Sequence, residues 1–209
     1  ALRLFYCVTL RRPLMKLELP ITKVTYKLPQ ILSVDEVQRI INSLGNIKHK
    51  TLLVVVYGAG LRVSEAVNLR TEDIDSTRMT LHIKCTKNRK DRYVTLSPVV
   101  LEQLRAYWKH CKFTGYIFPN NYSNGSRHIT RDAAGQIYKK AKERAGVKKI
   151  GGIHSLRHAY STHLLESGVD LFIIKQLLGH SSIRSTTRYL SFVPCKDKNI
   201  KLPIDQLSI

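Results

Sequence analysis

The sequence is short of acidic residues. Asp and Glu together number 15 in a chain of 209 residues, against 35 Lys and Arg, so the formal net charge is +20 and the pI is about 10.0. An excess of this size repels itself unless a polyanion neutralises it, which makes nucleic acid the leading class of partner. A basic surface that serves only solubility, or one of ribosomal type, is the alternative.

Cysteine is scarce, and its spacing does not suggest a structural role. The four cysteines are far apart and none forms a C-x-x-C pair: Cys7, Cys85, Cys111 and Cys195. This pattern argues against a disulfide framework and against a zinc ribbon, and it fits a reducing compartment.

Long apolar runs are also missing. The longest run, Leu52–Leu61, is too short to span a bilayer, which takes roughly 20 residues in a helix. The stretch ALRLFYCVTLRRP at the N-terminus has no basic segment ahead of its apolar patch and no small-residue cleavage site. We therefore expect neither a signal peptide nor a membrane partner.

Helix signals recur along the chain. Ser33-Val-Asp-Glu36 has the spacing of a capping box, and an apolar face follows it. A nearly continuous apolar segment over residues 50–58 indicates a buried helix. Further start and stop signals are Ser97-Pro98, Thr130, Gly146, Gly168, Asp170 and Gly179.

Strand signals are confined to one region. Apolar residues alternate with polar ones at Met79, Leu81, Ile83 and Cys85, and the segment Arg92–Leu96 returns after the turn TKNRKD. The predicted fold is therefore mainly α with a small antiparallel β-sheet or hairpin, an α+β architecture.

The stretch HSLRHAYSTHLLESGVDLFIIKQLLGHSSIRSTTRY, residues 154–189, gathers most of the chemically active side chains. His154 and His158 would share a helical face, but no carboxylate lies between them and Arg157 would bring a cation beside any metal ion. We therefore expect no metal site. His163 is interpreted as an ordinary helix residue.

Metal-free cleavage of a phosphodiester needs a hydroxyl nucleophile, fixed cations around the phosphate oxygens and an acid for the leaving oxygen. Arginine suits the second task because its planar, always charged fork matches phosphate. Two upstream segments supply further candidates: Arg62 beside Gly60 and Glu65 in GAGLRVSEAVNL, and Lys87 at the hairpin tip in KCTKNRKDRYVTL.

Together these segments resemble the tyrosine recombinases, or phage-type integrases, over about residues 30–192. The matching motifs are GAGLRVSEAVNL, TKNRKDRYVTL, HSLRHAYSTHLLESGVD and LLGHSSIRSTTRYLSF, in the order Arg, Lys, His-x-x-Arg, His and Tyr. Each motif alone is weak, but their combination in order is specific. The resemblance implies the catalytic-domain fold of that family, without metal or ATP as cofactor.

The resemblance also implies a role for each matching residue. Tyr189 would be the nucleophile that forms a 3′-phosphotyrosyl link, and Lys87 the acid that protonates the 5′ oxygen. The phosphate would be held by Arg62, Arg157 and His180, with His154 as acid, base or donor. Glu65 would orient its neighbours. His158, which is not among the matching residues, is interpreted as a hydrogen-bonded core residue or a supporting group.

Double-stranded DNA and other recombinase subunits, in a tetramer on paired sites, are the implied partners. The basic residues near the hairpin and in the region 127–149 are expected to face DNA: Lys90, Arg92, Arg127, Arg131, Lys139 and Lys140. Most of them should contact phosphates and not bases.

The family's domain plan predicts that residues 1–29 are the last part of a core-binding domain and its linker. Residues 30–209 would then be the catalytic domain, with a C-terminal tail from about 193. A phage or other mobile element is the expected source, and the cytoplasm, with nucleoid association, the expected location. A silent DNA-binding relative that acts as a regulator and DNA relaxation of the type IB topoisomerase kind are the alternative functions.

Overall fold

The computed structural model describes residues 8–9, 30–84, 91–120, 126–179 and 184–187. These residues contain eight α-helices, a short 3-10 helix (Thr71–Asp73) and one small sheet. The helices are α1 (Val34–Asn42), α2 (Ile47–Gly58), α3 (Val63–Asn68), α4 (Pro98–Cys111), α5 (Arg131–Arg144), α6 (His154–Glu166), α7 (Leu171–Leu178) and α8 (Arg184–Thr187). The strands are β1 (Ile74–Asp75), β2 (Thr80–Ile83) and β3 (Arg92–Thr95). The predicted α+β fold is confirmed.

Helix α2 lies at the centre of the molecule. Five of its residues are buried: Thr51, Leu52, Leu53, Val55 and Val56. Because it is apolar nearly all round, α2 can be covered on every side, and it packs against α1, α3, α4, α5 and α6. The buried helix predicted over residues 50–58 is confirmed. Among the described residues, no helix is long and apolar enough to cross a bilayer.

Helix starts follow the predicted caps. The Ser33 backbone N–H donates to Glu36 Oε2 at 2.7 Å, and the Glu36 N–H donates to Ser33 Oγ at 3.2 Å, which completes the capping box of α1. Thr130 Oγ1 accepts from the Ala133 amide before α5. These caps satisfy N–H groups that have no partner inside the helix.

The sheet is antiparallel with the strand order β1-β2-β3. Leu81 and Val94 face each other across β2 and β3 and are fully buried, whereas His82 and Tyr93 stack on the outer face at 4.8 Å. The sequence did not predict β1, and it wrongly placed Met79 in a strand. Met79 instead has φ +52° in the turn between β1 and β2.

Helix α7 packs on α6 and also touches β3. Its buried residues Ile174 and Leu178 contact Tyr160 and Leu164 of α6. The Asp170 carboxylate caps its start, accepting from the Phe172 amide at 2.7 Å. The position of α7 brings its C-terminal end toward α3 and β3, where the candidate site lies.

Candidate active site

Glu65 of α3 is the centre of a cluster of three arginines. Its Oε1 accepts from Arg62 Nη1 at 2.8 Å and from Arg92 Nη1 at 2.8 Å. Its Oε2 accepts from the Arg62 backbone N–H at 2.8 Å and from Arg92 Nη2 at 2.9 Å. Arg157 Nη1 lies 3.6 Å from the same Oε2. Four elements therefore meet at one carboxylate: the turn after α2, α3, β3 and α6.

The cluster keeps Glu65 ionised. Burial alone would raise the pKa of this carboxyl group, but the hydrogen bonds and charge of Arg92, the Arg62 amide and the charge of Arg157 lower it to about 2. Three positive charges and one negative charge leave a formal net charge of +2 around the carboxylate. A site with fixed excess positive charge is suited to a phosphodiester anion.

Arg157 is the deepest of the three arginines, with 1% of its side chain exposed. Nη1 donates to the carbonyl oxygen of Gly60 at 2.7 Å, and Nη2 donates to that of Leu178 at 2.6 Å. Arg62 is more accessible, with 23% of its side chain exposed. Arg157 thus ties the turn before Arg62 to the end of α7.

His154 and His158 lie one turn apart on α6, with ring centroids 4.9 Å apart. His154 is partly exposed to solvent. Desolvation of its buried part lowers its pKa most, and the charges of Arg157 and Arg62 lower it further. Burial is the main cause that lowers the pKa of His158, and the charges of His154 and Arg157 lower it further, to about 4. Both imidazoles are therefore neutral near pH 7, where the ring can accept a proton.

The structure brings together five predicted catalytic or supporting residues: Arg62, Glu65, Arg157, His154 and His158. The other predicted catalytic residues, Lys87, His180 and Tyr189, lie outside the described residues, as does Lys90. Their roles stay predictions. The segment 1–29, apart from residues 8–9, and the tail from 193 also lie outside the described residues. The predicted domain plan therefore stays a prediction.

The residues predicted to contact DNA fall into two groups. Arg92 turns inward to Glu65, with 11% of its side chain exposed. Arg127, Arg131, Lys139 and Lys140 are exposed, the last three on α5. Their contact with DNA stays a prediction.

Sequence reasoning missed two features of this region. Arg92 shares a strand face with buried Val94, so the alternation along β3 could have shown that it points inward. His163 also links two distant segments of the chain. Its Nδ1 is hydrogen-bonded to Tyr57 Oη and its Nε2 to the carbonyl oxygen of Leu32, both at 2.9 Å. Because a carbonyl oxygen only accepts, Nε2 carries a proton, and in the neutral ring Nδ1 accepts from Tyr57 Oη.

Within the described ranges, no group of three or more His, Cys, Asp or Glu residues is arranged to hold a metal ion. The chemistry that this cluster itself offers is anion binding by guanidinium groups, with a neutral imidazole nearby.

Residues 30–192 match the model of the phage integrase family, and the chain belongs to that family. "Putative integrase/recombinase y4qK" of Sinorhizobium fredii is 47% identical over 91% of this chain and 61% of its own length. The chain thus spans about three fifths of that relative.

Solved structures share the fold. The crystal structure of XerA recombinase has a TM-score of 0.72 at 23% identity, covering 90% of this chain and 75% of its own. The XerH site-specific recombinase bound to palindromic difH substrate, a post-cleavage complex, has a TM-score of 0.70 at 24% identity, covering 79% and 50%. The predicted tyrosine recombinase catalytic-domain fold is confirmed.

Proposed function

We propose that the chain is the catalytic domain of a site-specific DNA recombinase or integrase that cuts and rejoins strands through a 3′-phosphotyrosyl intermediate. One observation carries the proposal: Arg62 and Arg157, from two separate motifs, converge on Glu65. Family membership supports it, because those two motifs stand in the order that the resemblance requires.

Arg62 and Arg157 stabilise the phosphate as negative charge builds on its oxygens. Their guanidinium groups are held before DNA arrives, so little reorganisation is needed when the phosphorus becomes five-coordinate. Arg62 is the more accessible of the two, with 23% of its side chain exposed against 1% for Arg157. The negative charge of Glu65 offsets the mutual repulsion of the two guanidinium groups and so keeps them close together.

In the cleavage step, the Tyr189 phenol oxygen attacks phosphorus and loses its proton. The bond between phosphorus and the 5′ oxygen breaks, and Lys87 protonates that oxygen. In this proposal the neutral imidazole of His154 accepts the proton that Tyr189 loses, and His180 donates a hydrogen bond to the phosphate. The 5′ hydroxyl of another strand then reverses the step, so the covalent link conserves the bond energy and no ATP is consumed.

Double-stranded DNA is the proposed substrate, and further subunits on paired sites are the proposed partners. The net charge of +20 supports DNA binding. A phage or another mobile element is the proposed source, and we place the protein in the cytoplasm, on the nucleoid.

The direct test uses nicked suicide duplexes, chosen by footprinting DNA that flanks the gene, and looks for a covalent adduct on a denaturing gel. Tyr189→Phe should abolish the adduct. Tyr93→Phe is the matched control because Tyr93 is 68% exposed on the outer face of the sheet. An equal adduct yield from Tyr189→Phe would refute the proposal.

The adduct assay, together with a plasmid relaxation assay, separates the two alternatives. DNA binding without an adduct on any duplex would favour a silent regulatory relative. Relaxation of a supercoiled plasmid without paired sites would favour activity of the topoisomerase kind.

A further inference from the structure

Arg92 makes three hydrogen bonds inside the protein at the edge of the cluster. Its two terminal nitrogens bind both oxygens of Glu65, at 2.8 and 2.9 Å. Its Nε donates to the carbonyl oxygen of Leu177, near the end of α7, at 3.3 Å. The planar fork of arginine suits this arrangement, because it fixes the plane of the carboxylate as well as its position.

Gly179 packs directly on the Arg92 side chain. A Cβ at position 179 would lie 2.7 Å from Arg92 Cδ, 2.9 Å from Nε and 3.1 Å from Cζ. The guanidinium group is held by three bonds and cannot easily move aside. Gly179 also ends α7 with φ +60°, a conformation that favours glycine. His180 is the next residue in the chain.

The contacts of Arg92 and Arg62 are linked through shared atoms. Glu65 Oε1 accepts from both guanidinium groups at 2.8 Å. If the carboxylate rotated, the bond to the Arg62 side chain would be lost together with the bonds to Arg92. Arg92 is therefore in a position to set the orientation of Arg62 although the two residues belong to different elements.

We infer that Arg92 is a positioning residue for strand cleavage and not a DNA contact. It orients Glu65, and through it Arg62, and it fixes the end of α7 from which His180 follows. The inference rests on the proposed recombinase function and replaces the expectation that Arg92 faces DNA.

The experiment compares Arg92→Met, which keeps the apolar stem and removes the donors, with Arg78→Met. Arg78 is the matched control because its side chain is 84% exposed in the turn before β2. For each variant, adduct formation is measured at saturating protein on a nicked suicide duplex, and DNA affinity is measured as salt increases. Arg92→Lys, which keeps the charge but not the fork, is the fallback if the Met variant fails to fold.

We expect adduct formation by Arg92→Met to fall about tenfold or more, with affinity within about threefold of the parent and an unchanged salt slope. The slope of log affinity against log salt could instead fall by about one while cleavage at saturation is retained. This result would mean that Arg92 contacts a phosphate, and it would overturn the inference. Behaviour identical to that of Arg78→Met would overturn it as well.

A double variant tests whether Arg92 acts through Glu65. If it does, Arg92→Met combined with Glu65→Gln should lose little more activity than the more damaged single variant, because both remove the same arrangement. If the activity loss of the double variant were the product of the two single losses, Arg92 and Glu65 would act independently, and the inference would be contradicted.

One measurement does not depend on activity. Amide hydrogen exchange at Leu178 and Gly179 should become about tenfold faster in Arg92→Met and stay unchanged in Arg78→Met. If the parent chain forms no adduct, the proposed function fails, and this measurement alone decides whether Arg92 fixes the helix end. Unchanged exchange would show that it does not.

Discussion

Tyr160 lies against the backbone of Gly60 so closely that no side chain fits between them. A Cβ at position 60 would be 2.4 Å from Tyr160 Cδ1 and 2.5 Å from Cε1, and Gly60 has φ +58°. The carbonyl oxygen of Gly60 also accepts from Arg157. The tight turn after α2 and the burial of Arg157 therefore depend on the same glycine.

Gly60→Ala should destabilise the protein by about 2–4 kcal/mol, since it adds both a strained backbone conformation and a clash. Urea unfolding measures the loss. Gly135→Ala is the control because nothing lies within 4 Å of its Cβ position inside α5, and it should gain up to about 1 kcal/mol. Equal stability of Gly60→Ala and the parent would show that the turn adapts.

Glu65 should make stability depend on pH in the acid range. Its pKa in the folded protein, about 2, is below the ordinary value of 4.5, so the unfolded chain binds the proton more tightly. The contribution is complete above pH 4.5 and is lost as the pH falls toward 2, by about 3 kcal/mol. Urea titrations between pH 2 and pH 6 should show this loss in the parent but not in Glu65→Gln.

Glu65→Gln should also lower the free energy of unfolding at pH 7 by about 3–5 kcal/mol, because it leaves guanidinium groups without their counter-charge. Glu102→Gln, at an exposed position of α4, is the control and should change little. A Glu65→Gln protein that keeps the full acid-range loss would contradict the assignment to this carboxylate.

His158 should make the stability of the fold depend on pH in a second range, above that of Glu65. Its folded-state pKa of about 4 is below the ordinary 6.5, so the neutral ring is favoured in the fold. Its contribution is complete above pH 6.5 and is lost as the pH falls from 6.5 toward 4. NMR titration of the ring protons measures the pKa of His158 directly. A His158 titration near 6.5 would contradict the destabilisation of the charged ring by burial.

The link from Tyr57 through His163 to Leu32 should stabilise the packing of α2 on α6. Tyr57→Phe and His163→Ala should each destabilise the protein by about 1–2 kcal/mol. The double variant should lose less than the sum, with a coupling of about 1 kcal/mol, since both remove one hydrogen bond. Additive losses in urea unfolding would show that the bond contributes nothing.

The exposed lysines of α5 should contribute to DNA binding through charge. Lys139→Gln with Lys140→Gln should reduce the slope of log affinity against log salt by about two. The control pair, Arg105→Gln with Lys109→Gln, removes the same charge from exposed positions of α4. An equal effect of both pairs would point to the total charge and not to a DNA-facing surface of α5.

The local signals of the fold were readable from the sequence. Ser33, Thr130 and Asp170 cap helices as predicted, because a cap needs only residues a few positions apart. The two-residue strand β1 was missed because a run of two residues has no periodicity. Met79 shows the same limit, since its positive φ follows from the turn around it.

The site was less readable. The motifs identified Arg62, Glu65 and Arg157 as candidates, but not the atoms that join them. His163 bonds to groups 106 and 131 positions away, and Arg92 binds Glu65 27 positions away. Such contacts depend on how the elements pack, and only the inward face of β3 gave a local indication.

Helix α7 has little freedom in its length. Asp170 fixes its first turn, and the last carbonyl groups are held by Arg92 and Arg157. Inserting or deleting one residue would rotate one end against the other by about 100° and shift it by about 1.5 Å. Gly179 would then swing off the Arg92 side chain. Natural variation in this helix should therefore exchange its exposed residues, such as Phe172, while the number of residues between cap and glycine stays constant.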